Sequence, residues 1–343
     1  MESAIPSYLE CPRTRQRRVP DDYEPPYPSF VARFNPSVTH VAMAYFGVQY
    51  EGAETESARR ALSDIGQALA AANAPGHWDR AHYIDEAGYT NVMSIAYWDG
   101  PAVFDAWFGA HGASWASGSS RYAGCGTFTE VVRPAVERYE TLFSANDRAE
   151  GVAVLANGMS DMVQEHAYWG GARDRMPLSQ HSDMAPSGAP KVVSEGQYRR
   201  VVPHDNLCLI RSGQDWGDTP SEERRMYLED VEPVLRQGME FLRDEGLSIG
   251  CFANRYMRVL DPRGRDTDKS FGMSWWRSLA DLERWAESHP THVAIFGAAM
   301  KYLSALGPAA KLKLYHEVTV ATEEEQFFEY FNCHARTGML RVG

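Results

Sequence analysis

A strand that carries Met-Ser and runs into a tryptophan-bearing helix occurs twice in this chain. It is NVMSIAYWDGPAVFDAWF around Met93-Ser94, and FGMSWWRSLADLERWAES around Met273-Ser274. Glu-Val pairs recur later, at Glu130-Val131 and Glu317-Val318. Around these landmarks the order also repeats. An opening strand (HVAMAYFGVQY; NLCLIRSGQDW) leads to a helix (about 59–73; EERRMYLEDVEPVLRQGMEFLRD), and a late strand closes the unit (TFTEVVRPAVERYETLF; KLKLYHEVTV). A short unit of this kind buries one sheet face only against its own helices or a second copy. The repeat therefore predicts an α+β protein with antiparallel sheets and helices on one face. The expected division is an irregular wrapping arm (1–37, rich in Pro, Arg and Tyr), a first unit (38–150), a connecting segment (151–205) and a second unit (206–343).

Helix signals are clearest in the second unit. Thr219-Pro220-Ser221-Glu222 has the form of a capping box with proline at the first helical position. Ser278 and Asp281 can cap the next helix, turning Leu279, Leu282 and Trp285 inward, and Pro290 stops it. Thr291 can cap a further helix that ends at Gly307-Pro308.

Charge bounds the partners. With 34 Lys and Arg against 46 Asp and Glu, the net charge is −12, a poor match to nucleic acid or an anionic membrane surface. The basic run from Arg13 to Arg18 reads as a solvated arm. The longest apolar stretch, 293–310, carries Lys301, breaks at Gly307-Pro308 and falls short of the ~20 residues of a span. No apolar signal core opens the chain. Five scattered cysteines without a CxxC pair suit free thiols in a reducing cytoplasm. Phosphate-binding glycine loops, GxSxG and HExxH are absent from the sequence.

Two histidines stand out. On a helix begun at Thr291, His292 falls on one stripe with Ile295, Ala299, Leu303 and Leu306. His289 lies before the proline and reads as a helix-end residue. In KLKLYHEVTV, alternation groups His316 with Leu312, Leu314, Val318 and Val320, and leaves a polar face of Lys311, Lys313, Tyr315, Glu317 and Thr319. A buried imidazole needs a partner or a task. Each could be a core histidine satisfied by a neighbour. Alternation also puts Ser212 at the end of an apolar face with Cys208 and Ile210, as an edge residue or a donor at a pocket mouth. The loop EHAYWGGARDRMP adds His166, Arg173 and Arg175, whose arginines could equally be solvated.

Taken together, RSGQDW, EHAYWGGARDRMP, RWAESHPTHVAIF and KLKLYHEVTV resemble the aldoxime dehydratase family, haem-containing lyases that form nitriles. The resemblance extends to the arm (YLECPRTRQRRVPDDYEPPYPSF) and the tail (EYFNCHARTGML). It implies duplicated ferredoxin-like modules of the dimeric α/β-barrel type, a homodimer, and a small aldoxime substrate whose nitrogen binds a ferrous b-type haem directly. It further implies that His292 is the axial ligand of the iron and His316 the distal acid and base. Ser212 would hydrogen-bond the substrate hydroxyl, and Arg175 and Glu140 would support the distal network. The rival readings are a peroxidase-like or chlorite-dismutase-like haem enzyme, which would want a distal Arg or Asp in place of the Ser/His pair, and a non-catalytic haem-binding protein.

Overall fold

A computed structural model describes residues 1–118, 120–167 and 171–343; Tyr168, Trp169 and Gly170 of the 165–177 loop lie outside the described residues. The first half holds β1 (Ala42–Glu51), α1 (Glu56–Ala68), β2 (His77–Ile84), β3 (Tyr89–Trp98), α2 (Pro101–Trp107), α3 (Ala113–Ala116), β4 (Gly126–Val132) and β5 (Tyr139–Phe143). After α4 (Gly171–Arg175), β6 (Lys191–Glu195) and β7 (Tyr198–Val202), the second half holds β8 (Leu207–Asp215), α5 (Ser221–Met226), α6 (Glu232–Glu245), β9 (Cys251–Leu260), β10 (Asp266–Trp276), α7 (Leu279–Ser288), α8 (Pro290–Leu306), β11 (Lys313–Ala321) and β12 (Gln326–Phe331).

The described strands form one antiparallel sheet in the order β5-β11-β8-β10-β9-β2-β3-β1-β4-β12-β7-β6. Its centre is a mirror: β11-β8-β10-β9 meets β2-β3-β1-β4 across a short seam running from Arg80↔Leu260 to His82↔Arg258. Strand alternation then makes three apolar layers. Odd-numbered residues of both halves (Met43, Tyr45, Met93, Ile95; Leu209, Phe271, Met273, Trp275) share one inner core. Even-numbered residues of β1 and β3 pack outward under α1 to α3. Cys208, Trp276, Val318 and Val320 pack outward with Met239 of α6 and Leu279, Leu282 and Trp285 of α7. Each fully buried large side chain stabilises this arrangement by about 1.5–3 kcal/mol.

The recurring glutamates point into the shared core. Glu130 is met by both Arg255 Nη atoms (2.6 Å each) and by Trp275 and Tyr330. Glu317 accepts from the hydroxyls of Tyr97 (2.6 Å) and Tyr139 (3.2 Å) and the Val152 N–H (2.9 Å). The polar face of KLKLYHEVTV is thus no solvent face: Tyr315, Glu317 and Thr319 are buried, and the hydrogen bonds offset the desolvation such groups suffer.

Several local expectations change. The late segment 127–143 is two strands and not one. Pro134 cannot donate to a ladder, and the chain leaves the sheet there. β4 stays beside β1, whereas β5 crosses to become the neighbour of β11. Thr219 caps nothing; its hydroxyl donates to the Trp216 carbonyl (2.6 Å), and α5 starts without a side-chain cap. The expected single helix over 222–244 is divided, because Pro233 withholds an N–H and a π-turn (Tyr227–Val231) joins α5 to α6. Thr55 caps α1, which begins earlier than the expected 59. Ser278 caps α7 as read from the sequence, accepting from the Asp281 N–H (3.1 Å), a contact of about 1 kcal/mol. At α8 the cap is His289, not Thr291: Pro290 occupies the first helical position, so the residue before it takes the cap, and His289 Nδ1 accepts from the Thr291 N–H (3.4 Å).

Candidate active site

β8 and β11 pair so that Ser212 stands directly opposite His316. Side chains paired this way lie about 4.5–5.5 Å apart at Cβ on one face of the sheet. On the outer flank of β11, β5 sets Leu142 opposite His316 and Glu140 opposite Val318. Glu140 therefore lies diagonal to His316 on the same face. On the inner flank of β8, Gly272 of β10 stands opposite Ser212. A Cβ at Gly272 would lie 2.7 Å from Met239 Sδ, so a larger residue there would have to push the end of the Met239 side chain aside.

Arg175, the last residue of α4, completes the group. Its Nε donates to Glu140 Oε2 (2.7 Å), its Nη1 to the Glu165 carbonyl (2.5 Å), and its Nη2 reaches His316 Nε2 (2.9 Å). The side chains of Arg175 and Glu140 are 2% and 1% exposed. Removing one member of such a buried pair costs about 3–5 kcal/mol, because the other charge is left uncompensated. Burial raises the Glu140 carboxyl, but Arg175 and His316 outweigh it and hold it below the usual carboxylate range. Glu140 Oε1 lies 3.0 Å from His316 Nε2, yet among the described residues it takes no hydrogen bond. The ring can hence be held in two ways. A neutral imidazole accepts the Arg175 N–H at Nε2. An imidazolium presents Nε2–H to a carboxylate oxygen already in place. His166 is the second histidine of this region. Its Nδ1 donates to the Tyr27 carbonyl (3.1 Å), and burial drives it down to about 4.

His292 is held separately. Its ring stands edge-on to Trp285 (centroids 4.5 Å), and Trp285 Nε1 donates to Thr291 Oγ1 (3.0 Å). Burial lowers its basicity to about 4 despite a hydrogen bond to the Ala286 backbone. It is a neutral ring oriented by a backbone hydrogen bond, the protonation state in which an imidazole binds a metal. α8 is apolar on nearly every side, with Lys301 among few polar residues. A helix like that belongs in an interior. Yet Tyr302 is its one buried residue, Val293 is 47% exposed, and Ile295, Phe296, Ala299 and Met300 are half-buried. Ile295 joins the apolar layer of Ile210, Val318 and Val320 on the sheet face that carries Ser212 and His316.

Four of the five residues singled out in the sequence (Glu140, Arg175, Ser212, His316) thus converge, and the fifth, His292, borders the same apolar layer. The loop arginines are not solvated: Arg175 is buried, and Arg173 forks onto Glu283 of α7 (2.8–3.1 Å). Glu165 and Asp174, on either side of Arg175, escaped the sequence reading, since their partners, chiefly main-chain N–H groups with Arg17 added at Glu165, lie in the distant N-terminal arm.

The haem-containing dehydratase family model matches residues 44–339. The chain is 43% identical to the aliphatic aldoxime dehydratase of Pseudomonas chlororaphis over 348 residues, spanning 99% of this chain and 98% of that protein. It is 32% identical to the phenylacetaldoxime dehydratase of Bacillus sp. (strain OxB-1), with 94% of each covered. A crystal structure of an aldoxime dehydratase superposes with a TM-score of 0.95 at 43% identity, covering 100% of this chain and 99% of the other. Another, in complex with butyraldoxime, superposes at 0.94 and 42% identity, covering 100% and 97%.

Proposed function

This chain belongs to the haem-containing dehydratase family, and from that premise we propose that it is a lyase converting aldoximes to nitriles, R–CH=N–OH to R–C≡N and water, with haem b. The residues present fit that cofactor. His292 offers a neutral, oriented imidazole, and the half-buried apolar side chains of α8 suit a flat macrocycle. Ferrous haem, when bound, supplies an iron that takes the oxime nitrogen and electron density that weakens the N–O bond.

The protein's own part is proton transfer. Hydroxide is a poor leaving group and water a good one, so the oxime oxygen must gain a proton as the N–O bond breaks, while the aldoxime carbon must lose one. Ser212 and His316, side by side in register, can both reach a single hydroxyl. His316 as imidazolium gives one proton to that oxygen, with Nε2–H held by Glu140 Oε1. The neutral ring, its Nε2–H still facing Glu140 Oε1, then takes the carbon's proton at Nδ1, the nitrogen that gave up the first. The cycle closes without net proton change. Arg175 keeps Glu140 ionised and in place, and the apolar layer under α8 limits bulk water.

The observation that carries the reading is the Ser212↔His316 register with a buried Glu140–Arg175 pair behind it. A dithionite-reduced holoenzyme given butyraldoxime anaerobically should form butyronitrile, and the ferric form should not. Nitrile formation in neither form would reject the proposal. The mirrored strand order supports two ferredoxin-like modules, 38–150 and 206–343, as in dimeric α/β-barrel proteins, preceded by the arm 1–37 and joined by 151–205. A homodimer follows from the same likeness. Five free cysteines support a cytoplasmic setting. Among the described residues, no helix is long and apolar enough to cross a membrane.

A further inference from the structure

We propose that the N-terminal arm is a working part of the distal wall: main-chain N–H groups of residues 4, 18 and 19 hold Glu165 and Asp174, and these two hold Arg175 against His316. This rests on the reading of Arg175 and His316 given above.

α4 is five residues long, far too short to fix its own position. Its last residue nonetheless has to aim three guanidinium nitrogens at Glu140, Glu165 and His316. The arm supplies the missing anchorage. The buried Asp174 carboxylate accepts the N–H of Arg18 (2.9 Å) and of Val19 (2.6 Å) at Oδ2. On the other side of Arg175, the buried Glu165 carboxylate accepts the Ala4 N–H (2.9 Å) and Arg17 Nη2 (3.3 Å), while its carbonyl takes Arg175 Nη1. Gly171 completes the clasp: a Cβ there would lie 2.9 Å from Arg175 Nη1 and 3.2 Å from the Glu165 carbonyl oxygen. The arm itself is tied to the segment beyond α4, since Gln180 meets Cys11 N (3.0 Å), Thr14 N (2.9 Å) and Leu9 O (2.8 Å).

Charge-assisted bonds from a carboxylate to backbone N–H groups are strong and directional. Here they join a segment with no chemistry of its own to the group that sets the acid–base residue. Asp174 and Glu165 are positioning residues. Loss of the arm's hold should leave haem binding at His292 intact and lower kcat, because the geometry around His316 relaxes while substrate binding to iron does not.

The test uses full-length holoenzyme. The basic run Arg13–Arg18 offers trypsin sites that report whether the arm is seated. Asp174→Ala should speed cleavage in that run, keep the haem absorption band, and lower kcat about 10²-fold with KM unchanged, the scale of a small misplacement near the chemistry. Asp174→Asn can set its amide oxygen where Oδ2 stands, and should restore both arm protection and kcat. If Asp174→Ala does not fold, Ala4→Pro deletes one arm N–H alone and should show the same split more weakly. An arm released with kcat unchanged would overturn the inference, as would kcat lost while the arm stays protected. A parent enzyme that forms no nitrile would overturn the proposed function first, and this inference with it.

Discussion

His292 and His316 are both turned inward, but into different company. His292 meets a tryptophan edge and the Ala286 backbone, and burial keeps it neutral down to about pH 4. His316 meets a carboxylate at 3.0 Å and a guanidinium at 2.9 Å. The first environment suits a ligand, whose lone pair must stay unprotonated. The second suits an acid–base group, because each protonation state of the ring has a partner waiting. On the proposed mechanism, one type of side chain serves two tasks because its surroundings differ.

If that contrast is right, the two sites should break differently. The largest effect is expected from His292→Ala, which should lose the haem band in the purified protein; retention of a normal band would place the ligand elsewhere. Next, His316→Ala should keep haem and lose turnover by about 10²–10⁴-fold, the range of a positioned proton-transfer group. Ser212→Ala should lie at the lower end of that range, measured as kcat on butyraldoxime, since it orients the hydroxyl and carries no proton. Glu140→Gln should lower kcat and also destabilise the fold by about 3–5 kcal/mol, because Arg175 is left buried without its counter-charge; denaturant unfolding would read the second part.

The smallest effect is one of pH. The folded His292 sits near 4, below its ordinary 6.5. The unfolded chain therefore binds a proton that the folded one declines as pH falls through this window. Stability is full above pH 6.5 and is lost toward pH 4, by on the order of 3 kcal/mol. Haem should stay bound through this window and dissociate only below about pH 4, where the folded ring takes a proton and can no longer ligate. Stability of the haem-free protein that rose on acidification between pH 6.5 and 4 would contradict this.

Much of the contrast was legible in the sequence. Strand alternation alone put His316 with Val318 and Val320, and Ser212 with Cys208 and Ile210, and helical spacing turned His292 inward. The register that joins Ser212 to His316 was not legible, because strand pairing is a long-range property. Glu140 was placed by resemblance alone: its strand reaches β11 only because the chain breaks at Pro134 and crosses the sheet. Arg175 likewise rests on resemblance, since pattern alone left it equally a solvated loop residue; its carboxylate, its carbonyl and the arm around it are long-range partners. The misread caps at Thr219 and Thr291 share one cause: proline beside a candidate cap shifts the helix start, and the hydroxyl then finds other partners.

The proposed mechanism divides ligation and proton transfer between the two histidines. The most direct measurement is the absorption spectrum of dithionite-reduced His316→Ala before and after butyraldoxime, with nitrile assayed in the same cuvette. The expected result is a parental haem band that shifts on aldoxime addition with almost no butyronitrile formed. Loss of haem from this variant, or nitrile at the parental rate, would contradict it.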